Sequence, residues 1–224
     1  MTGLTVVLVD IDETMFNTKA FSKMARVNAL RAMKKEGMRT GIATAYKELS
    51  AIVKKYGPNY ADHFGKLLEK LGEGRNSRMI AAGIAAYHGT KVKISPYADS
   101  VKALRLMKRA GLKVYAATEG RAVKQWDKLV RLGLQDEIDG AFISEELGVG
   151  KSPEFYRRIA KKLKVKPEGM LMAGDKLDRD YVPAKKAGMN AILVLRKGGK
   201  VEKDVCSVKS LAEAAKIAVA MKKK

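Results

Sequence analysis

With 224 residues, 46% of them hydrophobic and 31% charged, the chain is long enough to bury a core and to hold one domain with a large insertion or two small domains. No run approaches the roughly 18 apolar residues of a membrane-spanning helix, and the single cysteine, Cys206, excludes intrachain disulfides and cysteine-rich zinc sites. Lysine and arginine outnumber aspartate and glutamate by 45 to 24, a formal charge of +21 that would draw in polyanions and small phosphate esters alike.

The first predicted element is an apolar strand, Thr5-Val6-Val7-Leu8-Val9, that ends in Asp10-Ile11-Asp12-Glu13-Thr14. No basic leader or cleavage site accompanies this apolar run, so a cytoplasmic location is expected. Helical periodicity follows over residues 19–36, with Phe21, Met24, Ala25, Leu30 and Met33 on one stripe, and again around 46–56, 60–71 and 77–88. Little in this stretch reads as strand. After Pro96 the pattern becomes an alternation: helix 97–110, strand 112–117, helix 122–132, strand 140–143, helix 152–163, strand 170–173, helix 181–187, strand 190–195 and a last helix from Leu211. Strands separated by helices at this spacing predict a doubly wound parallel α/β sheet. The expected organisation is thus a core of residues 1–16 and 96–224, interrupted at 17–95 by an all-helical domain.

Four segments at or near strand ends carry chemistry. Two acids at positions 10 and 12, where a parallel sheet opens its ligand crevice, point to a site, although Asp and Thr also cap helices and make turns. Thr118-Glu119-Gly120 offers a hydroxyl and backbone N–H groups as an anion cradle. Lys151 stands just before a helix whose start is set by Pro153. Ala173-Gly174-Asp175-Lys176-Leu177-Asp178-Arg179-Asp180 ends another strand in acids, and acids from two strand ends converge readily on one hard cation. Their order along the chain is more telling than any one of them.

In that order the segments resemble the haloacid dehalogenase-like (HAD) superfamily, in the subgroup whose helical cap lies between the first and second motifs. The resemblance covers essentially the whole chain, including Ala184-Lys185-Lys186-Ala187-Gly188-Met189 after the last motif. It implies a Mg2+-dependent phosphatase acting on a small phosphorylated metabolite. Asp10 would be the nucleophile, forming an aspartyl-phosphate, and Asp12 the general acid and base. Mg2+ would be held by Asp10, the backbone carbonyl of Asp12 and Asp175. Thr118, Glu119, Gly120 and Lys151 would bind phosphate, and Asp180 would orient Lys151 or a metal-bound water. The chain departs from the family pattern at Glu119, where asparagine is common, and at Ser152, where proline is common. Asp12 favours phosphate esters over dehalogenation, because the family's dehalogenases lack an acid there.

Two rivals remain at this level. A phosphosugar mutase uses the same pair of aspartates, with His63 a candidate for controlling water. A basic nucleic-acid binding or end-processing protein would use the net charge. The latter is not favoured, because aromatics make up only 6% of the chain and the lysines follow helical surface spacing.

Overall fold

The computed structural model of the chain describes residues 3–198 and 203–222. By internal contacts it divides into two compact units, Met1–Thr18 with Ser95–Lys224, and Lys19–Ile94.

The first unit is a six-stranded sheet in the order β3-β2-β1-β4-β5-β6, every neighbouring pair parallel. Its strands are β1 (Val6–Val9), β2 (Lys113–Thr118), β3 (Gly140–Ile143), β4 (Met170–Gly174), β5 (Asn190–Val194) and β6 (Ser207–Val208). β1 and β4 are buried along their whole length, as central strands covered on both faces must be. Val6 and Leu8 pack with Phe155, Tyr156, Ile159, Met170, Met172 and Ala184 on one face. Val7 and Val9, one residue out of phase, point to the opposite face. The strand order reverses between β1 and β4, so their carboxyl ends flank the crevice in which such sheets place ligands.

The second unit contains four helices, α1 (Thr18–Lys35, which begins on the last residue of the first unit), α2 (Ile42–Tyr56), α3 (His63–Lys70) and α4 (Ser77–Thr90). Leu30, Met33, Met38, Leu49, Ile52, Leu67, Leu68 and Met79 form its core. The helices of the first unit continue as α5 (Ser100–Arg109), α6 (Ala122–Arg131), α7 (Ser144–Leu147), α8 (Pro153–Leu163), α9 (Val182–Lys186) and α10 (Leu211–Lys222). Among the described residues no helix is long and apolar enough to cross a membrane.

Three differences from the expected elements have physical causes. The helix expected from residue 97 starts at Ser100, because the Tyr97 N–H donates to the Met15 carbonyl at 2.9 Å and Asp99 is engaged by Arg196 and the Ala212 N–H. The two-residue strand β6 and the one-turn helix α7 are too short to show periodicity. Helix α2 begins four residues earlier than the expected 46, at Ile42.

That early start has a distant cause. Glu73 accepts from the backbone N–H groups of Arg39 and Thr40 and from the Thr40 hydroxyl, at 2.7 to 3.1 Å, and so ties down the chain just before α2. The Thr40 hydroxyl and these N–H groups pull its carboxyl down to about 2. A depressed carboxyl contributes stability above its unfolded value, which is lost as pH falls from there toward the folded value. Glu73→Gln should therefore destabilise the helical unit at neutral pH by about 1–2 kcal/mol, the scale of a lost helix cap. Urea melts of variant and wild type should converge as pH drops from about 4.5 towards about 2.

Candidate active site

β1 ends at Val9, and its hydrogen-bonding to β4 runs one residue further: the Asp10 N–H donates to the Ala173 carbonyl at 2.9 Å. This pairing draws Asp10 inside, leaving it 5% exposed. The chain then turns sharply. The N–H groups of Met15 and Phe16 donate to the Ile11 carbonyl, the Glu13 N–H donates to the Phe16 carbonyl, and Glu13 sits in the left-handed region at φ 61°. Arg196 secures the loop from outside by donating to the Thr14 carbonyl at 2.6 and 2.8 Å and to Asp99 at 2.9 Å. Its guanidinium lies over the Tyr97 ring, 3.8 Å from the centroid.

Lys151 reaches the same point from the other side. Ser152 caps α8 through the Phe155 N–H and Pro153 opens the helix, so the residue where the family often has proline supplies the cap instead. Phe155, Tyr156 and Ile159 bury the helix face below, and the preceding lysine is carried inward with a side chain only 3% exposed. Its ammonium donates to Asp10 at 2.5 Å and to Asp180 at 2.6 Å.

Asp180, 1% exposed, has both oxygens committed: Oδ1 to Lys151, and Oδ2 to the backbone N–H of Lys176 at 2.9 Å. It closes the loop after β4 on itself. Gly174 makes room for this arrangement, since a Cβ there would collide with the Asp180 carboxylate. Asp175, at the end of the same strand, is paired with Lys176 at 2.8 Å.

Carboxylate oxygens of Asp10, Asp175 and Asp180 all lie within 4.8 Å of one another. Burial pushes the Asp10 carboxyl up, and Asp180 and Asp12 add to this, against the pull of Lys151. Burial works against the Lys151 charge too, but the Asp10 and Asp180 carboxylates hold it above the ordinary lysine range. One buried cation thus serves a crowded set of hard oxygen donors. That donor set suits a divalent cation such as Mg2+, with Asp10 and Asp175 as the protein carboxylates, since Asp180 is already committed.

The other expected residues are placed as follows. Thr118 is the last residue of β2 and 1% exposed; β2 lies beside β1 with Ala116 opposite Val9. The Gly120 N–H is held by the Ser144 hydroxyl at 2.9 Å, and Gly120 adopts φ 134° with the Gln125 amide where a Cβ would stand. Glu119 turns its carboxylate to the Arg179 guanidinium. Asp12 lies outside the cluster of three carboxylates: its Oδ1 accepts from Thr18 and from Lys128, each at 2.5 Å. In the helical unit, His63 Nε2 lies 2.9 Å from the Gly57 carbonyl and its ring packs edge-on against Tyr60, a structural role.

Lys128, Ser144 and Arg179 were not singled out from the sequence. Gln125 and Lys128 do stand three apart on the helix that follows Thr118, a spacing that puts both on one face. Among 45 basic residues that signal is faint.

A doubly wound parallel sheet, with acids gathered at its strand-order switch and an all-helical insertion after the first strand, defines the class: an α/β enzyme with a carboxylate-rich site. A family model described as haloacid dehalogenase-like hydrolase matches residues 4–188, and the chain belongs to that family. A protein of Methanopyrus kandleri named glyceraldehyde 3-phosphate phosphatase is 40% identical over 194 residues, spanning 85% of this chain and 83% of its own length. One of the same name from Methanocaldococcus jannaschii is 35% identical over 192 residues, spanning 85% and 84%. The crystal structure of a haloacid dehalogenase-like family hydrolase from Xanthomonas campestris shares the fold at a TM-score of 0.72 and 18% identity, covering 100% of this chain and 98% of its own.

Proposed function

We propose that this phosphomonoester hydrolase is Mg2+-dependent and acts on a triose phosphate, with glyceraldehyde 3-phosphate the first candidate. One observation carries the chemistry: a buried carboxylate at the end of the central strand, ion-paired to a buried lysine and followed two residues later by a second aspartate. The relatives named glyceraldehyde 3-phosphate phosphatase support the substrate.

Asp10 attacks phosphorus along the line of the ester bond, and the leaving alkoxide takes a proton from Asp12. Asp12 then removes a proton from water, which attacks the aspartyl-phosphate and frees Asp10. Lys151 neutralises the Asp10 carboxylate and the phosphoryl oxygens as an anion approaches an anion, while Thr118 donates its hydroxyl to those oxygens. Asp10, Asp175 and the Asp12 carbonyl would hold Mg2+, which would supply further charge neutralisation. Asp180 keeps Lys151 aimed. Of the second motif, Glu119 is committed to Arg179, so the segment's contribution to phosphate comes from Thr118. The helical unit serves as the cap that selects the substrate.

A panel of phosphorylated metabolites assayed with and without Mg2+ tests this reading. Glyceraldehyde 3-phosphate should release phosphate fastest, and chelation should stop the release. Interconversion of sugar phosphate isomers with little free phosphate would make the protein a mutase instead.

A further inference from the structure

Lys128 lies on α6, outside every motif so far described, yet its ammonium is spent on Asp12. A lysine on a chain of net charge +21 ordinarily keeps its head in water. Lys113, paired with Asp139, does so with a side chain 67% exposed; that of Lys128 is 18% exposed. The lysine is itself positioned. It donates to Gln125 Oε1 at 3.1 Å, and Gln125 Nε2 donates to the Glu119 carbonyl at 2.9 Å. Gln125 is 7% exposed, and the neighbouring Leu129 is fully buried, which roots α6 in the core. An unbroken chain of contacts therefore runs from the end of β2 to Asp12.

The second donor to Asp12, the Thr18 hydroxyl, binds the same oxygen as Lys128. The Asp12 side chain is 38% exposed, so without these donors its carboxyl group would be free to rotate. Both donors sit on Oδ1, and neither engages Oδ2.

We propose that Lys128 is a positioning residue that anchors Asp12 through Oδ1, so that Oδ2 protonates the leaving alcohol and later takes the proton of the attacking water. The anchor rests on the reading of Asp12 as general acid and base. The proton balance is simple. As Asp10 bonds to phosphorus and the ester bond breaks, the proton on Oδ2 moves to the alkoxide; as water attacks and the Asp10–phosphorus bond breaks, a water proton returns to Oδ2. Lys128 holds the acid in place through both steps without touching the substrate.

The test is the leaving-group dependence of kcat/KM, which covers the steps up to alcohol release. Aryl phosphates from 2,4-dinitrophenyl to phenyl differ mainly in their need for a proton. Lys128→Met should lose about ten-fold more on phenyl than on dinitrophenyl phosphate, and Lys128→Arg should recover most of that difference. Asp12→Asn should show the same trend more steeply. Lys128→Gln replaces the methionine variant if that variant does not fold. An equal loss on every ester, or none, with Asp12→Asn still steep, would overturn the anchor and mark Lys128 as a binding or packing residue. A flat Asp12→Asn series would overturn the role of Asp12 itself, and the anchor with it.

Discussion

Replacing Asp10 with asparagine should lower turnover of an aryl phosphate on the order of 10^4-fold or more, because the amide cannot form the bond to phosphorus on which both half-reactions of the proposed mechanism depend. The fold should survive. Asp10 is 95% buried against a pair of carboxylates with Lys151 as its cation, and its charge is held at a cost that the amide removes while keeping the side-chain volume. Thermal melting should therefore leave the variant as stable as the wild type or more so, and phosphate trapped on the acid-quenched protein should disappear. Turnover within ten-fold of wild type would assign the nucleophile elsewhere.

Lys151→Met should have the largest effect on stability. It leaves Asp10 and Asp180, 5% and 1% exposed, facing each other without their shared cation. Breaking a buried ion pair from one side costs about 3–5 kcal/mol, since the charge left behind is neither solvated nor paired. Activity should fall as well if, as proposed, the same ammonium serves the incoming phosphoryl oxygens. The two effects separate in the double variant: adding Asp180→Asn to Lys151→Met should restore part of the stability and none of the activity. Urea unfolding and aryl phosphate turnover measured on both variants would check this, and a stable Lys151→Met protein would show that the carboxylates do not depend on the lysine.

The two residues behave oppositely for one reason. Asp10 is a buried charge that the proposed chemistry requires, whereas Lys151 is the charge that pairs with it in the fold. Sites of this kind give up stability for reactivity, and asparagine at position 10 should reveal the amount.

Much of this was legible in the chain. The alternation after Pro96 determined a parallel sheet, because strands joined by helices leave few other ways to bury both faces. The apolar run into Asp10 and the run into Gly174-Asp175 determined which strand ends carry acids, since fully buried strands cannot take polar residues except where they emerge. Ser152-Pro153 announced the start of α8, and with it the position of Lys151. These are local properties, set by periodicity and by the few residues that begin or end an element.

Tertiary structure decided the partners. That Lys151 bridges Asp10 and Asp180, residues 141 and 29 positions away, follows from β1 and β4 lying side by side at the point where strand order reverses. No feature near Lys128 marks it for Asp12, 116 positions distant, or Arg179 for Glu119, 60 positions distant. In so basic a chain every carboxylate has many possible cations, and only the packing of helices on the sheet brings one within reach. Sequence periodicity determines which face of an element is buried; which charges meet depends on the geometry between elements, and there the final form of the site was decided.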